Sequence, residues 1–206
     1  MKVLRVTSAL FFLLLSLVAF TIGSRAPTAH AASSTSFVFK FHGLSAFAEF
    51  DTYSPDGCIE TFVYASGTHS KQNSEADVFI GQFNYCTQTD LLEAYGSTLN
   101  PNFQIPNKLD SASLSATISV FDEVSGNTFQ VSVNTTWTDT GPLSHEIESF
   151  HFHTKGFIEN FHLNAAFRDA GASGTVSDGT TNFTPSPSVS AQTMSAKVVD
   201  VTITRP

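Results

Sequence analysis

The sequence predicts an all-β domain, an antiparallel β-sandwich with a β-barrel as the alternative. Three observations lead there. Ser, Thr and Phe are abundant in the chain while Lys, Arg and Glu are scarce, a bias toward strands and turns. Several segments alternate apolar and polar residues with period two. Gly, Pro and Asp-Gly breaks divide the chain into segments of about ten residues, the spacing of a sandwich or barrel.

Ahead of that domain, Met1–Arg5 is a short basic start, Val6–Gly23 is almost wholly apolar, and Ala29-His30-Ala31 is a small-x-small cleavage site. This is the pattern of a secretory signal. The expected division is a signal peptide over 1–31 and a single secreted domain over 32–206. The apolar run is at the short end of what spans a bilayer, and Ser8, Ser16 and Thr21 interrupt it. No second long apolar run follows, so no membrane insertion is expected after cleavage. Three of the 10 Lys and Arg residues precede residue 32, leaving seven against 18 acids and a net charge of −11. So acidic a domain repels nucleic acid and anionic membrane surfaces and disfavours phosphorylated ligands. Cations and neutral ligands such as glycans remain open.

Along the domain, Ser36–His42 and Leu44–Tyr53 read as strands, closed by the turn Ser54-Pro55-Asp56-Gly57. Cys58–Ser66 and Asp77–Cys86 follow, joined by a polar loop over Gly67–Ala76. Paired as a hairpin, they set Cys58 directly opposite Cys86, and cross-strand cysteines in an exported protein predict a disulfide. Thr89–Tyr95 has the look of one short helix, with Thr89 as N-cap, Asp90 in the first turn and Gly96 as stop. A proline-flanked loop with Pro101 and Pro106 leads to the clearest hairpin, Leu114–Val124 with Asn127–Trp137. A two-residue turn at Ser125-Gly126 there sets Val120 opposite Val131, Ile118 opposite Val133 and Leu114 opposite Trp137. The sole tryptophan is expected inside, as are the alternating phenylalanines. Glu146–Thr154, Phe157–Asp169, Ala172–Ser177 and Lys197–Thr204 complete the strands, with Gly179–Ser188 as a long surface loop.

The histidines are the main candidate for chemistry. A turn at Lys155-Gly156 sets Phe150 opposite Phe161, His151 opposite Asn160 and His162 opposite Ser149. His151, His153 and His162 then project from one side, where neutral imidazoles can bind zinc and leave a position open for water. His145, Glu146 or Glu148 could add a ligand or a base. The same pattern also describes a solvated sheet face. No His-Glu-x-x-His motif, nucleophile elbow, phosphate-binding loop or dinucleotide fingerprint is present. Asp122-Glu123 and Glu146/Glu148 are acid pairs of the kind glycosidases use, but the first enters a tight turn and reads as turn chemistry.

Asp56-Gly57-Cys58, Tyr85-Cys86, Lys108-Leu109-Asp110-Ser111-Ala112, Thr136-Trp137-Thr138 and Ala172-Ser173-Gly174-Thr175-Val176 together resemble a group of exported bacterial proteins of unknown function. The resemblance implies export and paired cysteines and carries no activity. The expected function is that of a secreted, non-enzymatic extracellular or cell-surface binding protein, with an extracellular ligand or surface partner and no cofactor. The competing expectation is a metal-dependent hydrolase built on His151, His153 and His162.

Overall fold

The computed structural model describes residues 35–71, 73–154 and 158–205. They form ten strands and, among the described residues, no helix: β1 (Thr35–Tyr53), β2 (Ile59–Ser70), β3 (Ser74–Asn84), β4 (Thr89–Leu99), β5 (Asn102–Gln104), β6 (Ser111–Asp122), β7 (Thr128–Asp139), β8 (Ser144–His153), β9 (Ile158–Ser177) and β10 (Ser190–Arg205). No helix among them is long and apolar enough to cross a membrane. The all-β class is as the sequence predicts.

The strands pair in the order β10-β1-β2-β3-β4-β6-β7-β9, and a β9–β10 ladder closes the antiparallel sheet into a ring that is not a regular barrel. β5 adds to β6, and β8 adds to β9. Closure removes most free edges. The narrowest seam is β4–β6, where only Ala94–Asp122 and Tyr95–Phe121 pair. Gly96 makes this close approach feasible, since a Cβ there would sit 2.2 Å from the Ser119 carbonyl oxygen.

Small residues line the ring's interior. Ala46, Ala48, Val63, Ala65, Ala76, Val78 and Ala94 belong to one buried cluster with Phe50, Ile80, Ile118 and Trp137. Trp137 lies inside as expected, and its indole N–H donates to the Phe47 carbonyl at 2.8 Å, satisfying the polar handle of a buried ring. Phe103 of β5 enters the same core against Gly67, where a Cβ would lie 2.4 Å from the ring.

β9 extends beyond the ring. Its first half pairs with β8 and its second half with β7, while β10 follows the first half on its other edge. Both ladders flanking β10 lose step at Lys197, a bulge. Residues 35–42 of β1 pair with β10 alone, since β2 first meets β1 at Gly43–Ser70. Phe37, Phe39 and Phe41 share a face with Val199, Val201, Phe161 and Leu163 in this extension, opposite to the ring's interior face.

Several expectations are corrected. Thr89–Tyr95 is strand, not helix: Leu92, Ala94 and Gly96 point inward with period two, and pairing with β3 overrides the local cap signal. The two segments either side of Gly43 are one strand, as are the two either side of Gly171. Gly67–Ala76 is mostly paired strand, because β2 and β3 run on to a turn closed by the Ser70 N–H donating to the Asn73 carbonyl at 2.9 Å. In that hairpin Cys58 faces Tyr85, one residue from the expected partner. In β6–β7 Val120 faces Phe129, Ile118 faces Val131 and Ala112 faces Trp137, a shift of two residues. A two-residue shift keeps every side chain on its expected face. The wider loop arises because the buried Asp122 organises it, accepting hydrogen bonds from the Ser125 hydroxyl and from the N–H groups of Glu93, Val124 and Ser125. The Gly179–Ser188 loop is tied down through buried Phe183 and Thr184, the latter donating to the Gly174 carbonyl at 3.1 Å.

Candidate functional site

The β8–β9 register is the expected one: Phe150 faces Phe161, His151 faces Asn160 and Ser149 faces His162. His151, His153 and His162 therefore share one exposed face. Two of the rings are engaged by cross-strand neighbours. His151 Nδ1 lies 2.6 Å from Asn160 Oδ1, so it carries the proton in that pair, and His162 Nδ1 lies 2.6 Å from Ser149 Oγ. Glu146 and Glu148 face Ala165 and Leu163 on the opposite side of the sheet and cannot join the histidines. Among the described residues no group of three or more His, Cys, Asp or Glu side chains is placed to hold a metal ion. The Lys155-Gly156 turn lies outside the described residues.

A second constellation lies on the outer face of β1–β4. Since Phe50, Val63, Ala65, Ile80 and Ala94 point inward, their neighbours point out. Three rows result. Tyr53, Glu60 and Phe83 form the first; Asp51, Phe62, Gly81 and Glu93 the second; Glu49, Tyr64, Phe79, Tyr95 and Phe121 the third. Their rings meet mostly at an angle: Phe62–Phe79 at 55°, Phe83–Tyr85 at 80° and Tyr95–Phe121 at 72°. Gly81 leaves a gap in the second row. The resulting depression of about 230 Å³ is lined by Glu60, Phe62, Phe79, Phe83, Asp90 and Glu93, with Gly81 in its wall.

This face carries acids and no bases. Two ion pairs occur among the described residues, Lys40–Asp200 and Arg168–Asp139, and neither lies on it. Burial raises Glu93, and the charges of Glu123, Asp90 and Asp122 add to the effect. Burial also raises Asp51, helped by the nearby charge of Glu60. Asp51 Oδ1 is shielded from solvent and has no hydrogen-bond partner. Glu60 is the exception, because Tyr53 and Tyr85 each donate a hydroxyl to it, at 2.5 and 2.7 Å. Beside this cluster the expected disulfide is present, Cys58–Cys86, with Cα atoms 5.3 Å apart. A stable disulfide fits a compartment outside the reducing cytosol.

Sequence reasoning missed this face because it assigned the phenylalanines to the core. The signal was there in Phe62-Val63-Tyr64-Ala65, where both strand faces are apolar. Packing decides between them: with Phe50, Trp137 and Phe103 already inside, the enclosed space takes Val63 and Ala65 and leaves Phe62 and Tyr64 outward. No family model, curated protein or solved structure matches this chain.

Proposed function

We propose that this is a secreted, non-enzymatic binding protein whose contact surface is the outer face of β1–β4. One observation carries the reading: outward rings and carboxylates without a basic partner in the ion pairs of the described residues surround a depression on the sheet. Tyr53, Tyr85 and Phe121 are exposed around the half-buried Phe62, Phe79 and Phe83, and exposed apolar patches mark interaction sites. The disulfide supports export, as does the signal pattern over 1–31. Zinc hydrolysis draws less support, since among the described residues no group of three or more His, Cys, Asp or Glu side chains is placed to hold a metal ion.

Two measurements test this. N-terminal sequencing of protein recovered from the medium should begin at Ala32, and an intact Met1 would contradict export. Amide shifts should be recorded with ammonium compounds, neutral oligosaccharides and zinc in turn. Shifts confined to β2–β4 support the reading. Zinc-induced shifts at His151, His153 and His162 with stoichiometric uptake would replace it with the metal-dependent alternative.

A further inference from the structure

We infer that the ligand of this face is an organic cation whose ammonium group sits in the depression at Gly81 between the rings of Phe62, Phe79 and Phe83. The inference rests on the binding reading above and adds the ligand's chemistry.

Aromatic rings present a negative face, which attracts an ammonium group placed over it. Their arrangement distinguishes a cation from a sugar. A pyranose stacks on a flat, coplanar platform, whereas Phe62 and Phe79 are inclined by 55° with centroids 6.3 Å apart. Inclined rings form the walls of a corner, which suits a compact, roughly spherical head group. Gly81 lets the Phe79 ring lean in as one wall of that corner, since a Cβ there would lie 3.2 Å from the ring.

Charge points the same way. Glu60 approaches from β2, and Asp90 and Glu93 from β4. None of them has a basic partner in the ion pairs of the described residues. Asp51, which pairs across the ladder with Phe62, leaves Oδ1 shielded and without a hydrogen bond. Anionic ligands are repelled, and a neutral ligand leaves this field uncompensated. A cation answers both the rings and the carboxylates. The depression, at about 230 Å³, is smaller than the ~300–1,000 Å³ of sites that enclose drug-sized molecules. It accommodates a head group, with the rest of the ligand lying along the sheet.

The test is calorimetric titration of the full secreted protein with tetramethylammonium chloride, choline, 3,3-dimethyl-1-butanol (the uncharged analogue of choline) and cellotetraose. Choline should bind at least about tenfold more tightly than its uncharged analogue, and added salt should weaken it. Glu93→Gln and Glu60→Gln should each weaken choline several-fold, and Gly81→Leu should abolish binding by filling the corner. Glu93 is exposed, so its variant keeps the test valid if Gly81→Leu does not fold. Equal affinity for choline and the uncharged analogue would overturn the cation and leave a binding face. Binding of cellotetraose without either ammonium compound would do the same. Absence of binding by all four probes overturns the cation. If Phe62→Ala, Phe83→Ala and Glu93→Gln then also leave every interaction of the protein unchanged, the binding reading falls with it.

Discussion

Tyr85 donates a 2.7 Å hydrogen bond to Glu60 across the β2–β3 ladder, on the residue adjoining the disulfide. Tyr53 donates to the other carboxylate oxygen at 2.5 Å. The hydrogen bond to Glu60 leads the causes that push Tyr53 up to about 12, and Tyr85 is raised for the same first reason. An ionised phenolate would lose its donor and face a carboxylate, so the neutral form is favoured. In an ultraviolet titration, Glu60→Gln should bring Tyr53 and Tyr85 back toward the ordinary tyrosine range. Unchanged titration would mean that the carboxylate does not hold them.

The disulfide closes a loop with a separation of 28 residues. Chain-entropy arguments give such a crosslink about 3 kcal/mol, by restricting the unfolded chain. Reduction, or paired Cys58→Ser and Cys86→Ser substitutions, should shift the denaturation midpoint by that order. Because Cys58 and Cys86 join the ends of β2 and β3, exchange protection should fall first at Ile59–Glu60 and Phe83–Asn84.

Asp122 holds the β6–β7 loop and ties it to β4. Burial alone would raise its carboxyl, but the hydrogen bonds from Ser125, Glu93 and Val124 prevail and lower it. A lowered carboxylate contributes stability above its unfolded-state value, and that contribution is lost as pH falls through the folded-state value. Asp122→Ala strands several N–H donors, so a loss of about 2–4 kcal/mol is expected in thermal or denaturant unfolding. Asp122→Asn, which keeps an acceptor, should cost less.

Asp77 behaves oppositely. Burial, then the charge of Glu75, raises it from 3.8 to about 6, against a hydrogen bond from Ser66 that lowers it. The folded protein therefore holds a proton that the unfolded chain has released. Stability should decline as pH rises from about 4 to 6 and level off above. Asp77→Asn should flatten that decline and raise stability at neutral pH by up to about 3 kcal/mol, at ~1.4 kcal/mol per unit. A steeper decline in the variant would contradict the assignment.

Much of the fold was legible from local pattern. The β8–β9 register followed from the turn expected at Lys155-Gly156, which set Phe150 opposite Phe161, and the cysteine pairing from a hairpin register that proved one residue off. What escaped was set by tertiary context. Thr89–Tyr95 carries a helix cap and an acidic first turn, yet the free edge of β3 recruits it as a strand. Asp122 resembled a solvated turn residue because nothing local reveals that β4 lies beneath it. The candidate face was illegible for a related reason: Phe62, Phe79 and Phe83 read as core until ring closure assigns Val63, Ala65 and Ile80 to the inside. Hydrophobicity identified the strands, and the size of the enclosed space decided which face was buried.

The central claim is that ligand meets the outer face of β1–β4 at Gly81. The most direct measurement is an amide chemical-shift map of the protein titrated with choline. The account predicts saturable shifts at Glu60, Phe62, Gly81, Phe83 and Glu93, with His151, His153 and His162 unmoved. Shifts centred on those histidines, or none on β2–β4 at saturating choline, would contradict it.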